Sequence, residues 1–321
     1  MSMSLSLFTI NIIGGNESFT NALYANGNQQ VVVAVNVQKL VNSVPTPLSS
    51  SEVNSVTVVE YSSNINAGLP VGWFCDTTQN RYDQGLRGSS FRVEASAVPA
   101  TRAAADVVSR YMRCDSRVNP LQNYQFMARI RLDDGTVYTT HFDDGGGAVF
   151  ESKITIAPQR PYVITADEMN PWRDDAYNTE WQKDDYIDVD VYYWTLPSSL
   201  KIYDESFSNA GYWTSKLYYA AAINYDSSTR LIFAIRYTVT SLTLGDIGNL
   251  PNSGYAGTQV SLSHGDGLMR AARYLCDSHS CSPTYNNYLY WTITDNLGCV
   301  SRFTLKANNS DNGNTLTLGN A

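Results

Sequence analysis

From Val31 to Gln38 the chain alternates, with Val31, Val33, Val35 and Val37 on one side and Val32, Ala34, Asn36 and Gln38 on the other. That two-residue period is the signature of a half-buried strand. Leu231, Phe233, Ile235, Tyr237 and Val239 alternate in the same way with Ile232, Ala234, Arg236 and Thr238. The same reasoning predicts strands over residues 5–13, Val53–Tyr61, Tyr124–Leu132, Thr136–Phe142 and Val149–Ile156. Towards the other end it predicts Thr258–Ser263, Tyr288–Thr294, Cys299–Leu305 and Thr315–Leu318. Turn residues punctuate these runs: Asn26-Gly27 is a strong hairpin dipeptide, and Asp133-Asp134-Gly135 and Gly145-Gly146-Gly147 break the chain further on. One segment reads as helix, Pro99–Met112, with Thr101 as N-cap and an alanine-rich body, and Phe91–Ala95 ahead of it reads as an extra strand.

The pattern is written twice. Asn16-Glu17-Ser18-Phe19-Thr20-Asn21-Ala22 recurs as Asp204-Glu205-Ser206-Phe207-Ser208-Asn209-Ala210, most positions identical and the others exchanged like for like. Leu23-Tyr24-Ala25 is matched by Leu217-Tyr218-Tyr219, Trp73-Phe74-Cys75-Asp76 by Tyr274-Leu275-Cys276-Asp277, and Asn123-Tyr124 by Asn287-Tyr288. Ordered anchors of this kind indicate an internal duplication. The expected fold is all-β: two tandem antiparallel β-sandwich units, immunoglobulin-like in architecture, with one short helix in the first. The expected boundaries are 1–164 for the first unit, with an insertion near 78–122, an acidic and aromatic connecting segment over 165–198, and 199–321 for the second. Within that segment Ile187, Val189 and Val191 alternate with aspartates, so its end reads as a strand rather than a slack linker.

A chain of 321 residues accommodates two domains at about 150 residues each. Its 43% hydrophobic and 16% charged content describes a globular protein, and 22 tyrosines favour strands over helices. A net charge of −8 argues against nucleic-acid partners, which need a basic footprint. No run approaches the roughly 20 apolar residues of an integral membrane segment. The apolar start lacks a basic n-region and an Ala-x-Ala site, so the sequence predicts a protein that is cytoplasmic or released by a non-classical route.

Candidate chemistry is sparse. Cys75 and Cys276 occupy matching places and read as buried thiols, with a Cys75–Cys114 disulfide as the alternative. Cys276, His279, Cys281 and Cys299 offer four zinc-type ligands, but their spacing fits no common zinc ribbon. Asp184, Asp185, Asp188 and Asp190 offer oxygens to calcium without an Asp-x-Asp-x-Asp-Gly loop, so a solvated acidic face is the plainer reading. The histidines His141, His264 and His279 stand beside no nucleophile motif, and no phosphate-binding glycine loop precedes a helix. The sequence therefore predicts no enzyme and no cofactor. The aromatic excess leads towards binding: Trp172, Trp181, Tyr192, Trp194, Tyr212 and Trp213 are the ligand-contact candidates. The leading expectation is a non-enzymatic interaction or self-assembly protein, binding protein partners or copies of itself as a homo-oligomer. A glycan-binding protein using those rings is the alternative, and a secreted pore-forming β-type toxin, with Thr238–Ser263 as its amphipathic segment, is a third.

Overall fold

A computed structural model of the chain describes residues 2–14, 17–89, 105–143, 149–181, 185–212, 214–225, 228–247, 253–263, 265, 267–276 and 288–321. It is mostly β, with several antiparallel sheets and two short helices. Two compact units emerge: Met1–Pro161 with Leu297–Cys299, and Tyr162–Asn296 with Val300–Ala321. Among the described residues no helix is long and apolar enough to cross a membrane.

The first unit runs β1 (Met3–Ile12), β2 (Phe19–Thr20), β3 (Val31–Val41), β4 (Val44–Thr46), α1 (Ser50–Ser55), β5 (Thr57–Glu60), β6 (Trp73–Asp76) and β7 (Asp106–Cys114). It continues with β8 (Tyr124–Arg131), β9 (Val137–Thr139), β10 (His141–Asp143), β11 (Val149–Glu151) and β12 (Ile154–Ile156). One sheet has the order β1-β3-β7-β6 with β4 beside β3, another β2-β12-β8-β5 with β9 beside β8, and β10 pairs with β11. The alternation at Val31–Val37 does what its period requires: Val31, Val33, Val35 and Val37 enter the core with Phe8, Ile10 and Ile12 of β1 and Phe126, Ala128 and Ile130 of β8. One apolar cluster therefore draws on both larger sheets.

The helix expected at Pro99–Met112 is not there in the described part of that segment. Residues 90–104, including the strand expected at Phe91–Ala95, lie outside the described residues, and Asp106–Cys114 is β7, paired to β3 and β6. Alanine propensity loses to a period of two: Val108, Arg110, Met112 and Cys114 are buried, whereas Val107 is exposed. The helix of this unit is α1, in a stretch read as the start of a strand. Ser49 caps it, accepting from Glu52 N, while the Glu52 carboxylate reaches back to Ser49 N at 2.8 Å and takes the buried Lys39 ammonium at 2.5 Å. Buried Arg110 then satisfies carbonyls at the far end of α1, donating to Val53 O at 2.6 Å and Val56 O at 2.8 Å.

The second unit runs β13 (Asn170–Trp181), β14 (Asp185–Thr195), β15 (Ile202–Ser208), β16 (Gly211–Tyr212), β17 (Leu217–Tyr225), β18 (Ser228–Ile235) and β19 (Leu242–Thr243). Then come α2 (Leu244–Ile247), β20 (Gln259–Val260), β21 (Leu268–Cys276), β22 (Tyr288–Asp295), β23 (Val300–Ala307) and β24 (Leu316–Asn320). Its large sheet has the order β13-β14-β21-β18-β17-β16 and its smaller one β15-β22-β23-β24. Residues 165–198, read from sequence as a connecting segment, supply two long strands of the large sheet. One face of that sheet packs Ile187, Val189, Val191, Phe233 and Tyr274 against Leu242, Leu244 and Ile247. On the other, Tyr218 of β17 stacks on Phe207 of β15 at 4.3 Å, and Phe207 meets Trp291 of β22 at 5.3 Å.

The two copies of the repeated heptapeptide pair differently. Phe19–Thr20 lie parallel to β12, while Asp204–Ser208 lie antiparallel to β22. Thr238–Ser263, the segment that a pore-forming reading would need as a long hairpin, contains β19, α2 and β20 among its described residues, with Leu242, Leu244, Ile247 and Val260 buried.

Candidate functional site

The acidic segment becomes a charged cluster on the hairpin β13–β14. Register pairs Asp175 with Asp190 and Asn178 with Asp188, so the carboxylates of Asp175, Asp188 and Asp190 come within 4.8 Å of one another. Asp190 is 0% exposed. Its counter-charge comes from β21, which lies beside β14: Arg273, itself 1% exposed, donates Nε to Asp190 Oδ2 at 2.7 Å and Nη2 to both Asp188 and Asp190. Arg173 Nε adds a bond to Asp190 Oδ1 at 2.8 Å. Burial pushes the Asp188 carboxyl upward, and Arg273 works against that shift. Two arginines thus face three carboxylates, and buried Asp190 is paired with both. Asp188 and Asp190 from the calcium set meet here; Asp184 lies outside the described residues, as does the Asp185 side chain.

Of the zinc set, His279 and Cys281 lie outside the described residues, as does the Cys276 side chain, and Cys299 is buried with Sγ 3.5 Å from Asn26 Nδ2. Cys75 and Cys114 are free thiols. The suggested Cys75–Cys114 disulfide is absent because the β6–β7 register sets Cys75 opposite Met112 and Cys114 opposite Trp73. Burial raises both thiols, Cys114 to about 12.

The aromatic candidates whose side chains are described turn inward. Trp172 stacks on buried Tyr193 at 4.8 Å and packs against the core. Tyr192 and Trp194 are 8% and 6% exposed, with rings 6.3 Å apart, and Tyr192 donates to Asn314 O at 3.4 Å. Trp213 and the side chains of Trp181 and Tyr212 lie outside the described residues.

Three arrangements escaped sequence reasoning. The first is in the first unit, where Glu151 accepts from Tyr61 Oη at 2.5 Å and bonds His141 Nδ1 at 2.6 Å; β10–β11 pairing sets His141 opposite Glu151. These bonds hold the Glu151 carboxyl below its usual range. The second is Glu205 of the repeated motif. Its side chain is enclosed; Oε1 accepts from Tyr237 N at 2.9 Å and Oε2 from Trp291 Nε1 at 3.1 Å, and burial raises its pKa to about 7.

The third concerns exposed backbone and the faces of the smaller sheets. Strand β1 is the edge of its sheet and has no charged residue in ten. Ile12 N is bonded to Glu17 O, and Ser152 Oγ bonds both Ile10 N and Ile10 O, so that end of the edge is covered. Among the described residues, Met3–Phe8 hydrogen-bond to β3 alone. β13, an edge of the second unit's large sheet, carries Arg173, Asp174 and Asp175 and a register break after Asp175; β1 also has a register shift, between Leu5 and Leu7, but no charge to guard it. Alternation alone could find β1 but not its edge position, which depends on pairings far along the chain. No protein-family model matches the chain, and no curated protein is recovered as a relative.

Proposed function

We propose that the chain is a non-enzymatic interaction protein whose two units are duplicated β-sandwiches of immunoglobulin-like architecture, and that it associates with copies of itself through β1. Strand endings support the duplication. β7 ends on Cys114, followed by Asp115-Ser116, and β21 ends on Cys276, followed by Asp277-Ser278. Each of those strands pairs antiparallel with an alternating strand, β3 or β18. That register of the repeat fits better than matching Cys75 to Cys276.

The observation that carries the association is the half-open edge at Met3–Phe8, which has no charged residue, whereas edge strand β13 of the second unit carries Arg173, Asp174 and Asp175. An incoming extended strand would complete the backbone ladder there, the mode by which sheet edges bind peptides. Size-exclusion with light scattering over a concentration series tests it. The wild type is expected to self-associate, and Ser4→Lys with Ser6→Lys to remain monomeric with an unchanged far-UV spectrum. A wild type that stays monomeric at its highest soluble concentration overturns the reading. Equal association of the variant overturns the assignment to β1.

A further inference from the structure

The smaller sheet of the second unit turns Leu289, Trp291, Ile293, Phe303 and Leu305 inward, and on its other face Tyr288, Arg302 and Lys306 are exposed while Thr304 between the two cations is covered. Register sets Tyr288 opposite Lys306, Tyr290 opposite Thr304 and Thr292 opposite Arg302. Arg302 lies over the Tyr290 ring at 4.1 Å, and the Tyr290 and Tyr288 rings meet edge to face at 5.3 Å. A guanidinium drawn over an aromatic ring keeps N–H donors available to an anion. Among the described residues neither Arg302 nor Lys306 forms an ion pair, although the chain carries a net charge of −8.

Two further details suit a ligand. Gly319 stands opposite Thr304, and a side chain added there would meet nothing within 4 Å, so no packing demand explains the glycine and its absence of a side chain leaves the face flat. Thr317, opposite Lys306, is exposed, and its hydroxyl donates to Lys306 O at 3.5 Å, leaving its lone pairs to accept from a ligand. We propose that this face binds a short sulfated oligosaccharide, with Arg302 and Lys306 taking sulfates while Tyr288 and Tyr290 lie against the sugar rings. The two cations are four residues apart on one strand, about 13 Å at roughly 3.3 Å per residue. Their charge is complementary to separated sulfates, whereas a long nucleic acid would meet the acidic remainder of the chain and Asp204, at the far end of the same face. This assignment does not depend on β1 or on self-association.

The test is calorimetric titration of the full chain, at low salt, with a heparin-derived hexasaccharide, its unsulfated counterpart and a single-stranded oligodeoxynucleotide of equal charge. The wild type is expected to bind the sulfated sugar, weakening as salt rises, and to leave the other two at least about tenfold weaker. Arg302→Gln with Lys306→Gln should lose at least about tenfold in affinity, while Arg131→Gln, an exposed cation on β8, should change nothing. Both substituted residues are exposed, and an unchanged thermal midpoint confirms that the variant is folded. Equal binding of the unsulfated sugar or of DNA overturns the proposal. So does an unaffected double variant, or an equal loss in the Arg131 control.

Discussion

Glu205 makes the stability of this protein depend on pH in a direction opposite to that of most acidic proteins. Its carboxyl titrates at about 7 in the folded chain, against 4.5 when unfolded, chiefly because burial disfavours the charge; Tyr237 N, Trp291 Nε1 and the nearby Arg236 and Arg270 recover part of it. Between those two values the folded state holds a proton that the unfolded state has released. Stability from this group is therefore complete below about pH 4.5 and is lost as pH rises through about 7. At about 1.4 kcal/mol per pH unit the full loss is about 3.5 kcal/mol, of which about 3 kcal/mol falls between pH 4.5 and pH 8. Glu205→Gln removes the titration. It also turns an amide N–H towards either Tyr237 N or Trp291 Nε1, so the variant is less stable at low pH, where the wild-type acid is neutral. The readout is the gap between the two urea-unfolding free energies, measured from pH 4.5 to pH 8. That gap should move by about 3 kcal/mol in favour of the variant as pH rises. Parallel curves would refute the reasoning, because they would mean that the Glu205 carboxyl titrates alike folded and unfolded.

Other outcomes follow from the same packing. Arg273→Leu leaves Asp190 fully buried with Arg173 as its remaining cation, so urea unfolding should show a loss of about 3–5 kcal/mol, most of it recovered in the Arg273→Leu, Asp190→Leu double variant. A loss under about 1 kcal/mol would mean that the cluster is solvated rather than internally compensated. Gly267 sits at φ +76°, and a Cβ there would come 2.3 Å from Leu200 O, so Gly267→Ala should lower stability by about 2 kcal/mol or more, read as a drop in Tm. An unchanged Tm contradicts it. Cys75 and Cys114, both raised by burial, should resist a thiol reagent at pH 8 until the chain unfolds, and peptide mapping of rapidly labelled native protein should leave both unmodified.

The strands were legible where alternation was strict and local, as at Val31–Val37 and Tyr124–Arg131. Asp106–Cys114 was misread because the alanines before it favour helix, and what makes the segment a strand is a position between β3 and β6. The acids of 174–190 showed their number but not their partner, since Arg273 lies more than eighty residues away and reaches them only through β14–β21 pairing. The tryptophans and tyrosines of that segment were counted as a binding surface, yet Tyr192 and Trp194 are covered because both faces of the large sheet are packed. Tyr288 served only as a repeat anchor and strand start, and neither it nor Tyr290 was counted among the binding candidates: a pair of tyrosines spaced two apart says nothing until register sets Arg302 and Lys306 beside them.

The hydroxyl of Ser152, bonded to both polar groups of Ile10, has a consequence for assembly. It acts as an end-stop. A visiting strand can run along six residues, Met3–Phe8, or about 20 Å, and no further. The ledge is short and is interrupted by a register shift between Leu5 and Leu7, so two molecules that meet ledge to ledge cover the whole of it. Pairing of that kind sets the same patch of each molecule against its copy, so the symmetry closes at a dimer.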